Sequence, residues 1–274
     1  MRSLEQIKDW PVRHAGAGVV TRAGTNSAGD TDRVFPLASV TKPLVAYAVL
    51  VAVEEGAIEL DQPVDSHSAP PGTTVRHLLA HTSGIAFDTT DVLAKPGAKR
   101  IYSSAGFEVL AQFVTEQTGI AFDEYLRDAV FGPLGMKHSV LTGSAGHGAR
   151  STVDDLLLFA AELLSPQLIS ADMHSEASTV QFPGSNGVLP GYGSQRPNDW
   201  GLGFEIRDSK TPHWTGSVNS PRTYGHFGQS GTFLWVDPEI EVACVALADE
   251  NFGDWARAAW PVFSDGVIEE LSRG

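Results

Sequence analysis

Ser39-Val40-Thr41-Lys42 sets a hydroxyl and an amine three residues apart. On a helix that spacing puts both on one face, within reach of each other. A serine hydroxyl is a weak nucleophile until a neighbour takes its proton. A lysine can take it once burial or a nearby cation lowers its pKa. A helix N-terminus at the same point favours negative charge developing on whatever the serine attacks. The chemistry such a pair could do is nucleophilic attack by the Ser39 hydroxyl. S-x-x-K by itself fits an N-cap followed by a surface lysine equally well. Here Pro43 and the uncharged run 44–53 follow the lysine, which predicts Lys42 at the edge of a core.

Two further stretches belong with this one. Tyr102-Ser103-Ser104 follows a Gly/Lys turn at 96–100 and precedes a helical pattern, and Tyr224-Gly225-His226-Phe227-Gly228-Gln229-Ser230-Gly231 opens a strand. In order along the chain, the three resemble S-x-x-K, Y-x-N and K-T-G or H-x-G. These are the motifs of the serine β-lactamase and penicillin-binding protein superfamily, here most similar to its class C branch with the related esterases and DD-peptidases. Phe35-Pro36-Leu37-Ala38, His77-Leu78-Leu79-Ala80-His81-Thr82-Ser83-Gly84-Ile85, Gly132-Pro133-Leu134-Gly135-Met136 and Trp200-Gly201-Leu202-Gly203-Phe204 are also family-like. The resemblance runs from about residue 35 to residue 248.

Carried over by position, the resemblance implies Ser39 as the acyl-forming nucleophile, with Lys42 and Tyr102 sharing the work of general base. A free tyrosine has a pKa of ~10, so a phenolate near neutrality needs ~4 kcal/mol of differential stabilisation, for which a Lys42 cation is one source. The alternative is a neutral Lys42 that takes the proton itself, and a coupled pair titrates as a unit. The backbone N–H groups of Ser39 and Gln229 would form the oxyanion hole. His226 takes the place of the third-motif lysine beside Tyr102, and Ser104, Phe227 and Gly228 fall at substrate-binding positions.

Two departures bear on the substrate. Ser104 replaces the usual asparagine, whose amide helps hold an acylated amide substrate. Phe227 replaces the usual threonine or serine, a hydroxyl that helps bind a β-lactam or peptide carboxylate. Both changes remove polar handles that an ester without a carboxylate needs less. The expected activity is therefore a serine hydrolase, most simply a carboxylesterase on small acyl esters. The alternatives are a β-lactamase or DD-peptidase of the same fold, or a catalytically weak member that only binds acylated ligands. No metal or other cofactor is implied.

The elements that must position these residues follow from periodicity. Residues 15–21 read as a strand, 24–33 as a turn or loop, and 37–55 as a buried helix ended by Gly56. Residues 61–164 are mostly helical in pattern, over 75–81, 105–117, 121–130 and 152–164, with Thr152 as an N-cap ahead of Asp154 and Asp155. Residues 182–198 read as a long irregular loop near a site. The period then turns to that of strands over 201–207, 231–236 and 241–248, with a hairpin turn at Asp237-Pro238-Glu239. A last helix, 255–271, has Pro261 as a kink or break. The fold class is α/β (α+β): an antiparallel sheet flanked by helices, plus a mostly helical lobe. Residues 1–60 and 199–274 would form the sheet lobe and 61–198 the helical lobe, with the cleft between them.

Other residues have simpler readings. His77 and His81 are four apart, but without a third ligand they are better read as part of a helix exit than as a metal site. Cys244, the one cysteine, excludes an intrachain disulfide and reads as a core thiol. Arg222 reads as a surface ion pair. Trp200, Trp214 and Trp235 are candidates for the floor of the cleft. The chain has 274 residues and a net charge of −14, which argues against nucleic acid or anionic lipid as a partner and leaves a small-molecule ester or amide. Glu5, Lys8 and Asp9 make the N-terminus unlike a signal peptide, so the expected compartment is the cytoplasm, although a trimmed leader would leave the same sequence.

Overall fold

The computed structural model describes residues 1–64 and 68–273. Residues 65–67 of the predicted helical middle and residue 274 lie outside the described residues. The centre is a six-stranded sheet built from β1 (Ala15–Thr21), β2 (Gly24–Gly29), β3 (Glu205–Ile206), β4 (Tyr224–Gly228), β5 (Thr232–Asp237) and β6 (Val242–Ala248). Their order is β2-β1-β6-β5-β4-β3, and every pairing is antiparallel. The first strand of the chain thus joins the late strands in one sheet.

Strand alternation divides the core. On β6, Val242, Cys244 and Ala246 face one side, while Ala243, Val245 and Leu247 face the other. Helices cover both faces, so β6 is buried along its whole length and its sequence is a continuous apolar run. One face carries α1 (Thr41–Glu54) and α3 (Val153–Leu164), with α2 (Ala105–Thr118) packed on α1. The other carries α4 (Asp254–Arg273) and the N-terminal 3₁₀ turn Ser3–Asp9. Residues 41–52 of α1 are buried all round, which is why that helix shows no polar stripe. Thr152 caps α3 by accepting from Asp155 N–H, as its sequence suggests. Gly18 lets α3 lie close on β1, because a Cβ there would fall 2.6 Å from Leu157 Cδ1.

Several sequence expectations are corrected. Part of the segment read as a loop, 24–33, is the edge strand β2; its side chains are almost all exposed, so backbone pairing with β1 forms it without any apolar alternation. The 201–207 strand shrinks to Glu205–Ile206. The loop 182–198 contains a small hairpin, Gly187–Leu189 with Gly193–Gln195. The 121–130 helix starts as Phe122–Leu126 and runs on as a π-turn, Arg127–Phe131. Pro261 does not break α4. Proline's φ suits a helix and it forfeits one donor, while Trp260, Phe263 and Val267 anchor the helix in the core on both sides of it. No helix among the described residues is long and apolar enough to cross a membrane.

Candidate active site

Ser39 sits in a 3₁₀ turn, Ala38–Val40, that feeds directly into α1. The turn is strained, since Ala38 has a φ of +45°. It is clamped from the β4–β5 connection, where Ser230 Oγ donates to Pro36 O at 2.7 Å and Thr232 Oγ1 donates to Leu37 O at 2.8 Å. Gly228 belongs to the same clamp. A Cβ at 228 would lie 2.3 Å from Leu37 O, so β4 can approach the loop that carries Ser39 only with glycine there. The structure places Gly228 against that backbone, and it does not line the cavity.

Lys42 is fully buried on the first turn of α1. Its Nζ lies 3.3 Å from Ser39 Oγ, 3.1 Å from Ser104 Oγ and 2.8 Å from Gly146 O, and 4.6 Å from the centre of the Tyr102 ring. Burial pulls its pKa down to about 7, against a smaller opposing pull from Glu108. Glu108 is held nearby by accepting from Ser144 Oγ and Gly146 N–H. The Ser104 hydroxyl is thus a partner of Lys42, and Ser104 does not line the cavity beside Ser39.

Tyr102 reaches the same point ahead of α2, packed against His81, Phe87, Trp200 and His226. That burial drives its phenol pKa up, with a hydrogen bond to Ser39 only partly offsetting it. Its hydroxyl lies 3.3 Å from His226 Nε2. His226 Nδ1 donates to Phe227 O at 2.7 Å, which leaves Nε2 as an acceptor for the Tyr102 hydroxyl. Burial, then Lys42, lowers the His226 pKa to about 3, so the ring is neutral.

A cavity of about 320 Å³ opens from Ser39, Tyr102, His226 and Gln229. Trp200, Trp214, Leu189 and Phe227 form apolar walls, and Glu205 lies among them. Trp235 is not in the wall; it faces α4, where its Nε1 donates to Ser264 Oγ at 3.1 Å. Arg222 is exposed and outside the cavity. A larger cleft of about 740 Å³ at Pro70, His77, Leu93 and Lys95 holds none of Ser39, Lys42, Tyr102 and His226.

The two helix-exit histidines have separate duties. His77 and Thr74 form a capping box, each accepting from the other's backbone N–H. His81, with a φ of +57°, accepts from Ser103 N–H at 3.1 Å and packs under Tyr102. Cys244 is buried in β6.

Sequence reasoning missed two parts of this neighbourhood. Gly146 gives Lys42 a backbone carbonyl, a contact that leaves no side-chain signature. Glu205 is buried and accepts from Lys210 Nζ, from His213 Nε2 at 2.9 Å and from Trp214 Nε1 at 3.0 Å. Burial alone would raise its pKa, but His213 and Lys210 outweigh burial and hold it well below the usual carboxylate range. A charge inside an otherwise apolar segment, Trp200-Gly201-Leu202-Gly203-Phe204-Glu205, was the available signal.

Residues 8–264 match the family model described as Beta-lactamase. A solved structure of a beta-lactamase from Mycobacterium bovis is 59% identical, covers 98% of each chain and superposes with a TM-score of 0.95. Penicillin-binding protein 4 of Amycolatopsis lactamdurans is 33% identical over 168 residues, 50% of this chain and 44% of that relative, so the match spans less than half of the relative's length. A putative D-alanyl-D-alanine carboxypeptidase of Salmonella heidelberg is 24% identical, over 89% of this chain and 76% of that one.

Proposed function

The chain belongs to the beta-lactamase family, within the serine β-lactamase and penicillin-binding protein superfamily, and from that premise we propose a serine hydrolase that forms an acyl-enzyme on Ser39 and acts as a carboxylesterase on small acyl esters. The observation that carries the reading is the buried Lys42 amine, 3.3 Å from Ser39 Oγ with its pKa brought down to about 7. An amine so placed is neutral in about half of the molecules near pH 7 and can accept a proton there.

In this reading Ser39 Oγ attacks the ester carbonyl while its proton passes to Lys42 Nζ. The oxyanion is met by the backbone N–H groups of Ser39 and Gln229. The tetrahedral adduct collapses by breaking the bond to the alkoxide, which takes the Tyr102 proton as that hydroxyl turns from His226 Nε2, while Lys42 gives its proton to the Tyr102 oxygen. Water then attacks the acyl-Ser39 ester, Lys42 takes its proton and returns it to Ser39 Oγ, and the carboxylic acid leaves. Tyr102 acts as a neutral relay, because burial raises its pKa. Of the two bases left open by the sequence, the neutral lysine fits better.

Three features favour an ester without a carboxylate. Phe227 presents a ring where the family has a hydroxyl, and the ring lines the cavity. The Ser104 hydroxyl is engaged by Lys42. His226 is neutral, so the third motif brings no cation to hold a carboxylate. The cavity draws Ser39, His226, Phe227 and Gln229 from segments 1–60 and 199–274 and Phe87, Tyr102 and Leu189 from 61–198, which supports a site at the junction of two lobes, with α3 (Val153–Leu164) counted with the sheet lobe because it packs on β1 and β6.

β-Lactam hydrolysis is the second reading, favoured by the 59% identical relative whose name is beta-lactamase. Turnover of p-nitrophenyl acetate and of a chromogenic cephalosporin separates the two. The ester is expected to react faster, and Ser39→Ala to abolish its turnover. A faster cephalosporin reverses the order, and no turnover of either leaves only a binder of acylated ligands.

A further inference from the structure

The surfaces around the catalytic cavity are of two kinds. Trp200, Trp214, Leu189 and Phe227 are at most 7% exposed and close a chamber beside Ser39. Beyond its mouth lies a second hollow of about 500 Å³, lined by Leu93, Ile101 and Val188 together with Phe87, Tyr102 and Pro190, which it shares with the chamber. Here the apolar side chains stand in solvent: Phe87 is 54% exposed, Leu93 59% and Val188 58%. Single exposed apolar residues are ordinary, but a cluster bordering a reacting centre marks a binding surface.

The hairpin strand Gly187–Leu189 is the partition between the two hollows. Neighbouring residues on a strand point to opposite sides, so Leu189 walls the chamber while Val188 lines the open groove. Phe87 is fixed on the facing side. Its carbonyl accepts from Ser104 N–H at 2.8 Å and Ala105 N–H at 3.1 Å, and its ring stacks on Tyr102 with 21° between the planes. The groove therefore continues the catalytic cavity across a Phe87–Tyr102 sill.

Resting on the acyl-enzyme reading above, we propose that this groove receives the alcohol side of the ester, and that the substrates are short-acyl esters of large apolar alcohols. The direction follows from which residues are shared. Gln229, whose N–H meets the carbonyl oxygen in that reading, lines the chamber and not the groove. Tyr102, which faces the departing oxygen, lines both. The acyl group thus lies inward among the tryptophans, and the alkoxide leaves over Tyr102 into the groove. The chamber, about 320 Å³, limits the acyl group, whereas the groove opens to solvent and leaves room for the alcohol.

The test is kcat/KM along two series: acetate esters of ethanol, hexanol and 2-(2-naphthyl)ethanol, which leave as alkoxides of similar basicity, and p-nitrophenyl esters of acetate, butyrate and decanoate. The proposal expects a rise of about tenfold or more along the alcohol series, since each added apolar group in a fitting pocket contributes a similar factor, and a fall along the acyl series once the chamber is outgrown. Leu93→Asp and Val188→Asp should each cut the alcohol-series gain at least about fivefold. Both positions are exposed, so thermal unfolding should stay close to that of the parent. Val262→Asp, an exposed change on α4 lining neither hollow, should leave the activity unchanged. A gain along the acyl series instead, or an alcohol gain that survives both substitutions, overturns the proposal. A dimer that both aspartates dissociate, with the ester profile unmoved, assigns the patch to a second copy and overturns it too. Failure of every ester, with no adduct on Ser39, overturns the hydrolase reading and this proposal with it; turnover with the wrong profile overturns this proposal alone.

Discussion

Tyr102 and His226 meet with the phenol hydroxyl 3.3 Å from Nε2, and the ring nitrogen can only accept, because Nδ1–H is committed to Phe227 O. His226 therefore orients the Tyr102 hydroxyl as a neutral acceptor and supplies no charge. Replacing it by phenylalanine, His226→Phe, keeps the packing and removes the acceptor. The expected loss is about 10- to 100-fold in kcat on a nitrophenyl ester, less than the roughly 10²–10³ lost with a donor that touches the reacting oxygen, because His226 acts through Tyr102, and His226→Gln should recover part of it. An unchanged kcat in His226→Phe would show that Tyr102 needs no such partner.

Lys42 must be neutral to accept a proton, and its pKa is brought down to about 7. The rate constant kcat/KM should then be level at high pH and fall about tenfold per pH unit below pH 7. His81 and His226, which also face this centre, are both held neutral by burial and so do not add a second limb there. Glu108 opposes the drop, so Glu108→Gln should move the limb to lower pH. A pH–rate profile of both proteins checks this.

The same burial has a stability consequence. A fall from 10.5 to about 7 disfavours the ammonium form by about 5 kcal/mol in the folded state. That cost is felt in full below pH 7 and fades as the pH rises towards 10.5, since the unfolded chain binds the extra proton within that window. Lys42→Met should lower kcat by more than about 10³ and yet unfold at a higher temperature than the parent, with a larger gap at pH 6 than at pH 10. Thermal unfolding at the two pH values measures the gap.

Glu205 holds Lys210, His213 and Trp214 together under the cavity wall. Glu205→Gln leaves Lys210 buried without its counter-charge. Removing one member of such a buried pair costs about 3–5 kcal/mol. Urea unfolding should show that loss as an earlier midpoint with an unchanged slope.

Periodicity gave the long helices α1 to α4 and the strands β1, β5 and β6 closely, because these bury whole faces and their apolar patterns record it, while the short helix Ala171–Ala177 went unread. It failed where backbone pairing alone forms the element. β2 and the Gly187–Leu189 hairpin bury little, and nothing in Gly24-Thr25-Asn26-Ser27 alternates. That Ser39, Lys42, Tyr102 and His226 would converge was legible because side chains of these types recur in a familiar order. The work of Gly146, Gly228 and Ser104 was not, since it is done by a carbonyl, a missing Cβ and a hydroxyl turned towards Lys42. Trp235 was misplaced because type alone does not say which face of a strand a ring takes.

The central claim is that the Ser39 hydroxyl becomes acylated. Rapid quenching after mixing with p-nitrophenyl acetate, followed by intact-mass and peptide mass spectrometry, measures this directly. The account predicts one added acetyl group, located on Ser39, formed by the parent, greatly slowed in Lys42→Met and absent in Ser39→Ala. Ester turnover with no adduct on Ser39, or an adduct that forms as fast without Lys42, would contradict it.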